Sequence, residues 1–236
     1  MKIETIMQEL MAKGFCIIPD LISPQVLLDL RKDLEPWFSN TPRCEGDFYG
    51  WKTTRFGSLL TKSKLGFDIV AHPLILDIMD RVLLPHCDVY QLNLTQGIRL
   101  HPGERRQVPH RDQEMFHMAT YPHEVMVNVM WAISDFTKDN GATNIWPGRH
   151  SAPPDRLADP GQATIAEMRA GSALVFLGSV THCGGANHTS EDRTGIITSY
   201  NLGWLRQYEN QYLAYPPDIA AKFSPEIQKL DASKNW

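Results

Sequence analysis

The sequence predicts a mainly β fold with flanking helices: a double-stranded β-helix core of the jelly-roll or cupin-like kind. Three observations carry that reading. Amphipathic helical stripes dominate the first part of the chain, and from Val89 onward the texture changes to short apolar runs cut by Gly, Pro, Asn and Asp. One of those runs is apolar on both faces, as a strand covered by a sheet on one side and helices on the other must be.

The elements follow in order. Ile3, Ile6, Met7, Leu10 and Met11 recur at helical spacing and Gly14 follows as a stop, so a short helix opens the chain. Phe15 to Ile18 reads as a strand. Ser23-Pro24 is an N-cap followed by proline at the first helical position, and Val26, Leu27, Leu30, Leu34 and Trp37 continue an apolar stripe toward Phe38. The segment from Thr41 to Gly57 is polar and glycine-rich, carries Tyr49 and Trp51 as lone aromatics, and is given no regular element. His72-Pro73 leads into a third stripe at Leu74, Ile75, Ile78, Met79 and Val82, and the helices end near Leu84. Tyr90 to Leu100, Val125 to Ile133, Ala173 to Leu177 and Thr194 to Leu202 are the best strands. In the second of these Val125, Val127, Val129, Trp131 and Ile133 share one face, and Met126, Asn128, Met130 and Ala132 the other. After Trp204 the chain returns to polar, tyrosine-rich helix or loop, with Ser224-Pro225 as another cap-like pair.

These elements make one domain over 1–236: N-terminal helices to about residue 85, a jelly-roll core over about 86–206 and a tail over about 207–236. A chain of 236 residues, 42% hydrophobic and 21% charged, can bury one sizeable core, which excludes the disordered and fibrous classes. Its 23 basic and 27 acidic residues are interspersed, so there is no basic surface for a nucleic-acid partner. The longest stretch without a charged residue, Ala170 to Ser190, holds two His and four Gly, so neither a membrane span nor a membrane partner is expected. The opening MKIETIMQELMAKGF has acids within an amphipathic pattern and lacks the layout of a secretion signal, which places the chain in the cytoplasm. Cys16, Cys44, Cys87 and Cys183 form no C-x-x-C pair and read as free thiols. Asn93-Leu94-Thr95 and Asn187-His188-Thr189 match the glycosylation triplet by chance. The oligomeric state is not legible.

The informative segment is Gln107-Val108-Pro109-His110-Arg111-Asp112. In extended chain, residues two apart project to one side, so His110 and Asp112 offer an imidazole and a carboxylate together. A distant histidine closing the third corner would make the facial triad of non-haem Fe(II) oxygenases, which leaves the opposite side of the metal open for a co-substrate and O2. His182 follows the run Ala173 to Leu177, 70 residues after Asp112, and Arg193 comes 11 residues later at the start of the next strand. Were those strands paired as a hairpin, the β-carbons of His182 and Arg193 would lie about 5 Å apart. The guanidinium would then grip a carboxylate bidentately, and a chelating 2-oxo acid fits that arrangement.

These residues resemble the phytanoyl-CoA dioxygenase family of Fe(II)/2-oxoglutarate-dependent oxygenases. The resemblance covers most of the chain and rests on GFCIIPDLIS, PGERRQVPHRD, NVMWAISDFTKDNGATNIWPGRHS and the spacing from His182 to Arg193. It implies iron ligands at His110, Asp112 and His182, Arg193 as the 2-oxoglutarate anchor, and Gln107 and Trp131 lining the co-substrate pocket, with Thr143 of the GAT triplet a further match. The PGE-x-x-Q-x-x-HRD form and the ending LRQYENQYLAYPP look like the branch that modifies natural-product intermediates. Halogenating relatives replace the carboxylate ligand with Gly or Ala; Asp112 is present, so hydroxylation or a related oxidation of a small molecule is implied, with Fe(II), 2-oxoglutarate and O2. The WPGRHS form, with Arg149 beside His150, has no account. A non-enzymatic metal- or oxo-acid-binding protein of the same fold is the alternative, and a cupin-like enzyme needing no oxo acid is disfavoured by Arg193. His101, His117, His123 and His150 read as loop or hydrogen-bonding histidines, and no G-x-S-x-G elbow supports a hydrolase triad of Ser179 and His182. Trp51, Phe116 and Trp204 are candidate substrate-facing aromatics.

Overall fold

A computed structural model of the chain describes residues 1–117, 122–152 and 159–231. The final five residues of the expected tail lie outside it. Helix α1 (Ile3–Lys13) ends at Gly14, whose φ of 86° is the left-handed conformation a non-glycine residue adopts only at a cost. Strand β1 (Phe15–Ile18) follows, and then α2 (Pro24–Asn40), where the Ser23 hydroxyl accepts from the Val26 amide as the N-cap. The segment without an expected element holds a short strand, β2 (Thr53–Phe56). Helices α3 (Gly66–Val70) and α4 (Pro73–Leu83) complete the helical part.

The remaining strands are β3 (Tyr90–Leu100), β4 (Met126–Ala132), β5 (Asn144–Ile145), β6 (Thr164–Ile165), β7 (Ala173–Leu177), β8 (His182–Cys183) and β9 (Arg193–Leu202). They form a six-stranded antiparallel sheet in the order β1-β7-β4-β9-β3-β2 and a smaller one in the order β6-β5-β8. The two make the cupin-like jelly roll. Two strands from the helical part, β1 and β2, thus edge the larger sheet. Short helices α5 (Gln211–Ala214), α6 (Pro217–Ala220) and α7 (Pro225–Leu230) follow.

Strand alternation divides the core into two layers. Val127, Val129 and Trp131 of β4 and Val175 and Leu177 of β7 pack with Ile6, Leu10, Leu30, Leu34, Ile75 and Ile78 of the helices. Met130 and Ala132, Leu174 and Phe176 join Ile98, Leu100, Phe136 and Ile145 on the other side, in the barrel interior. Strand β3 changes sides within its length. Its register against β9 shifts between Leu92 and Leu94, and this bulge at Asn93 flips the alternation: Leu92 packs with the helical layer, while Leu94, Gln96, Ile98 and Leu100 face the interior.

Candidate active site

His110 is held by a backbone bridge. Its amide donates to the His182 carbonyl and the His182 amide donates back, each at 2.9 Å, so the arm before Asp112 runs antiparallel to β8. The two imidazole centroids are 4.6 Å apart. Asp112 does not continue an extended strand: it opens a 3-10 turn, Asp112–Phe116, that brings its carboxylate between the rings. Oδ1 lies 3.4 Å from His110 Nε2 and Oδ2 lies 3.4 Å from His182 Nε2. One donor atom from each of the three residues falls within 4.8 Å of the others, and no further such group occurs among the described residues.

The hydrogen bonds of the rings decide which nitrogen is available. His110 Nδ1 lies 2.8 Å from the Val108 carbonyl and His182 Nδ1 lies 3.2 Å from the Val180 carbonyl. A carbonyl only accepts, so Nδ1 carries the proton and Nε2 presents its lone pair to the centre. Burial would raise the Asp112 carboxyl, but the two imidazoles facing its oxygens, each able to take up a proton at Nε2, hold it well below the ordinary carboxylate range. The Asn128 amide donates to Asp112 Oδ2 at 2.9 Å.

Arg193, the first residue of β9, is 2% exposed. Its Nη2 donates to the Gly141 carbonyl at 2.8 Å and its guanidinium lies 4.2 Å from the Phe136 ring centroid. Nε and Nη1 are buried without a hydrogen-bond partner. Burial, with the Arg55 charge adding to it, pushes the guanidinium down to about 9. A buried cation short of two acceptors is a site for an anion.

His110, Asp112, His182 and Arg193 all line one cavity of about 550 Å³, together with Gln107 and Thr143. The Gln107 side chain spans its rim, accepting from the Gly184 amide at 2.8 Å and donating to the Phe48 carbonyl at 2.6 Å. Two expectations need correction. His182 and Arg193 do not face each other across a hairpin: β8 pairs with β5 in the small sheet, while β9 lies between β3 and β4 in the large one. They reach the same cavity from opposite walls. Trp131 does not line the pocket. It lies on the helical face of β4, its indole donating to the Thr198 hydroxyl at 3.2 Å and its ring 5.8 Å from that of His72, while Met126, Asn128 and Met130 point inward.

Arg55, missed in the sequence, brings a further guanidinium into the cavity, close enough for its charge to act on Arg193. It pairs with Ile98 on edge strand β2, its Nε is buried without a partner, and burial lowers its affinity for a proton. A run of four alternating residues, Thr-Thr-Arg-Phe, is too short a signal to place it. The mouth carries Phe48, Tyr49, Trp51, Val108 and Tyr208, all well exposed. Phe116 lines a smaller adjoining cavity and Trp204 lines neither. His101 lies between Thr54 and Asp192, His123 stacks on His86, and His150 bonds the Met11 carbonyl. The Ser179 hydroxyl donates to Glu124, and His182 Nδ1 is already engaged, so Ser179 and His182 do not form a hydrolase triad.

A jelly roll presenting two imidazole nitrogens and a carboxylate beside buried arginines is the architecture of a non-haem oxygenase. Residues 10–195 match the family described as phytanoyl-CoA dioxygenase (PhyH), and the chain belongs to that family. It is 31% identical to the dioxygenase aneA of Aspergillus aculeatus, over 95% of this chain and 80% of that protein. It is 27% identical to the dioxygenase cdmA of Talaromyces verruculosus, over 96% of this chain and 82% of that one. Among solved structures, the non-heme alpha-ketoglutarate-dependent epimerase SnoN from nogalamycin biosynthesis superposes with a TM-score of 0.71 at 17% identity, covering 85% of this chain and 80% of SnoN. HygX of Streptomyces hygroscopicus, solved with nickel, 2-oxoglutarate and hygromycin B, gives 0.70 at 15% identity over 91% and 93%. The protein is a dioxygenase of this family.

Proposed function

We propose that the protein is an Fe(II)/2-oxoglutarate-dependent dioxygenase that hydroxylates an unactivated C–H bond of a small molecule, an intermediate of natural-product biosynthesis. The observation that carries this reading is the buried Arg193 guanidinium, with two unsatisfied nitrogens, in the same cavity as His110, Asp112 and His182. A metal site alone has no use for that arginine. A diacid that also chelates the metal does.

The donor set fits ferrous iron: two neutral imidazole nitrogens and one carboxylate on one side, with the cavity on the other. Bound there, iron supplies the activation of O2 that couples decarboxylation of 2-oxoglutarate to succinate with oxidation of the substrate. Arg193 would pair with the distal carboxylate of the co-substrate, and Arg55, whose charge acts on Asp112, would add positive potential to the same cavity. Gln107 and Thr143 border the same space. Met126, Met130, Phe176 and Ile197 form apolar walls that keep water from the reacting bond. The naming of relatives as dioxygenases, and the small-molecule complexes of HygX and of SnoN, solved with nogalamycin RO, support a compact organic substrate. No described helix is long and apolar enough to cross a membrane, and all four cysteines are free, as suits the reducing cytoplasm.

The test is anaerobic. Fe(II) and 2-oxoglutarate added to folded protein should produce a visible metal-to-ligand charge-transfer band, and in air a responsive substrate should stimulate succinate release. No band in protein that is folded by circular dichroism would sink the assignment.

A further inference from the structure

Asp112 is the only carboxylate among the three clustered donors, and its two oxygens are not equivalent. Oδ1 faces His110, whereas Oδ2 accepts the Asn128 amide at 2.9 Å while lying 3.4 Å from His182 Nε2. Asn128 is 1% exposed, sits in the middle of β4 and is held in register on both sides, opposite Phe176 of β7 and Ser199 of β9. Its neighbours on the inward face of β4, Met126 and Met130, are apolar. A single amide donor has been set into an otherwise apolar strip, aimed at one oxygen of one carboxylate.

We propose that Asn128 is a positioning residue, one that fixes the rotation of the Asp112 carboxylate so that a metal meets one oxygen while the other stays bonded to the protein. The proposal rests on the metal-site reading above. A carboxylate free to turn can close on a cation with both oxygens and take up a coordination position needed elsewhere; an amide on Oδ2 opposes that. An amide is suited to the task because it donates without adding charge beside the buried Asp112. The turn itself does not depend on Asn128. The Gln113 amide donates to Gly178 and the Glu114 amide to Arg111, both at 3.1 Å, so loss of Asn128 frees the carboxylate without releasing the backbone.

The experiment is an anaerobic Fe(II) titration of the full chain, followed by the charge-transfer band with saturating iron and 2-oxoglutarate. Asn128→Ala should bind Fe(II) about 10- to 100-fold more weakly than the parent, and its band should move. Asn128→Leu, which keeps the volume and lacks the donor, should do the same, and stands in for the alanine variant if that loosens the barrel. Ser199→Ala, the register partner whose hydroxyl accepts from Asn93 and not from Asp112's neighbours, should leave affinity and band unchanged. Parent and Asn128 variants binding iron within twofold, with identical bands, would overturn the proposal while leaving the metal site intact. Unchanged iron affinity with a raised 2-oxoglutarate requirement would overturn it too, making Asn128 a co-substrate contact. A parent chain that binds no Fe(II) would instead reject the metal-site reading beneath it.

Discussion

Tyr49 and Tyr208 meet hydroxyl to hydroxyl at 2.6 Å across the mouth of the cavity, although 159 residues separate them in the chain. Both rings are substantially exposed, so this bond joins the loop before β2 to the segment after β9 at a point where little else is buried. The hydrogen bond shared with Tyr208, with burial adding to it, raises the proton affinity of Tyr49. Tyr208→Phe should cost less than about 1.5 kcal/mol of stability. It should nonetheless raise succinate release in the absence of organic substrate, because water then enters the mouth more freely. Equal uncoupled turnover in variant and parent, measured at saturating 2-oxoglutarate, would show that the bond does not guard the site.

Arg193 and Arg55 bring two desolvated cations to one cavity, and the Arg55 charge acts on Arg193. Adding 2-oxoglutarate should therefore raise the melting temperature of the iron-loaded protein in a concentration-dependent way. Arg193→Ala should bind Fe(II) as the parent does but lose about 2 to 4 kcal/mol of co-substrate affinity, a rise of about 30- to 1,000-fold in the 2-oxoglutarate requirement. Asp112→Ala should lose iron itself. If both variants lose iron equally in calorimetric titrations, the division of roles between them is wrong.

Trp131 supplies a separate check. It fills the layer between β4 and the helices and is fully buried. Trp131→Phe should lower stability by about 1 to 3 kcal/mol through lost packing and the lost bond to Thr198. The KM for 2-oxoglutarate should not move. A raised KM with unchanged urea denaturation would return Trp131 to the pocket wall.

His150 sets a pH dependence away from the site. Its Nε2 is 3.0 Å from the Met11 carbonyl, which only accepts, so Nδ1 holds the lone pair, buried and without a partner. Protonation would place a charged N–H against nothing that accepts it. Burial pushes the ring below its ordinary 6.5, opposed by the bond to Met11 and helped by the Arg111 charge. The unfolded chain therefore takes up a proton more readily than the folded one, and the stability His150 contributes above pH 6.5 is lost as the pH falls below it. Between about pH 7.5 and about 5.5, His150→Gln should lose less of its urea midpoint than the parent. Parallel losses would refute the assignment.

Much of this protein is legible along the chain. Helix α1 stops at Gly14, α2 starts at Ser23-Pro24, and Tyr90–Leu100 and Ala173–Leu177 are strands with the boundaries their apolar runs suggest, because caps and periodicity act locally. The choice of His110, Asp112, His182 and Arg193 as a group also came from residue type and spacing, and the four do line one cavity.

What the chain could not state was the side each residue would take. Strand β4 is apolar on both faces, so its pattern does not tell helices from interior, and the family resemblance alone, which implies a pocket position for Trp131, does not match its place on the helical face. A bulge at Asn93 turns β3 over partway along, which no alternation rule applied to an unbroken strand anticipates. Arg55 comes into the cavity only because a four-residue strand pairs with β3 at the sheet edge. His182 and Arg193 belong to different sheets, and their meeting depends on how those sheets close over one another. Local sequence settles where elements begin and end and which chemistry they carry, because those depend on near neighbours. Facing and convergence are set by long-range pairing, and only the closed barrel decides them.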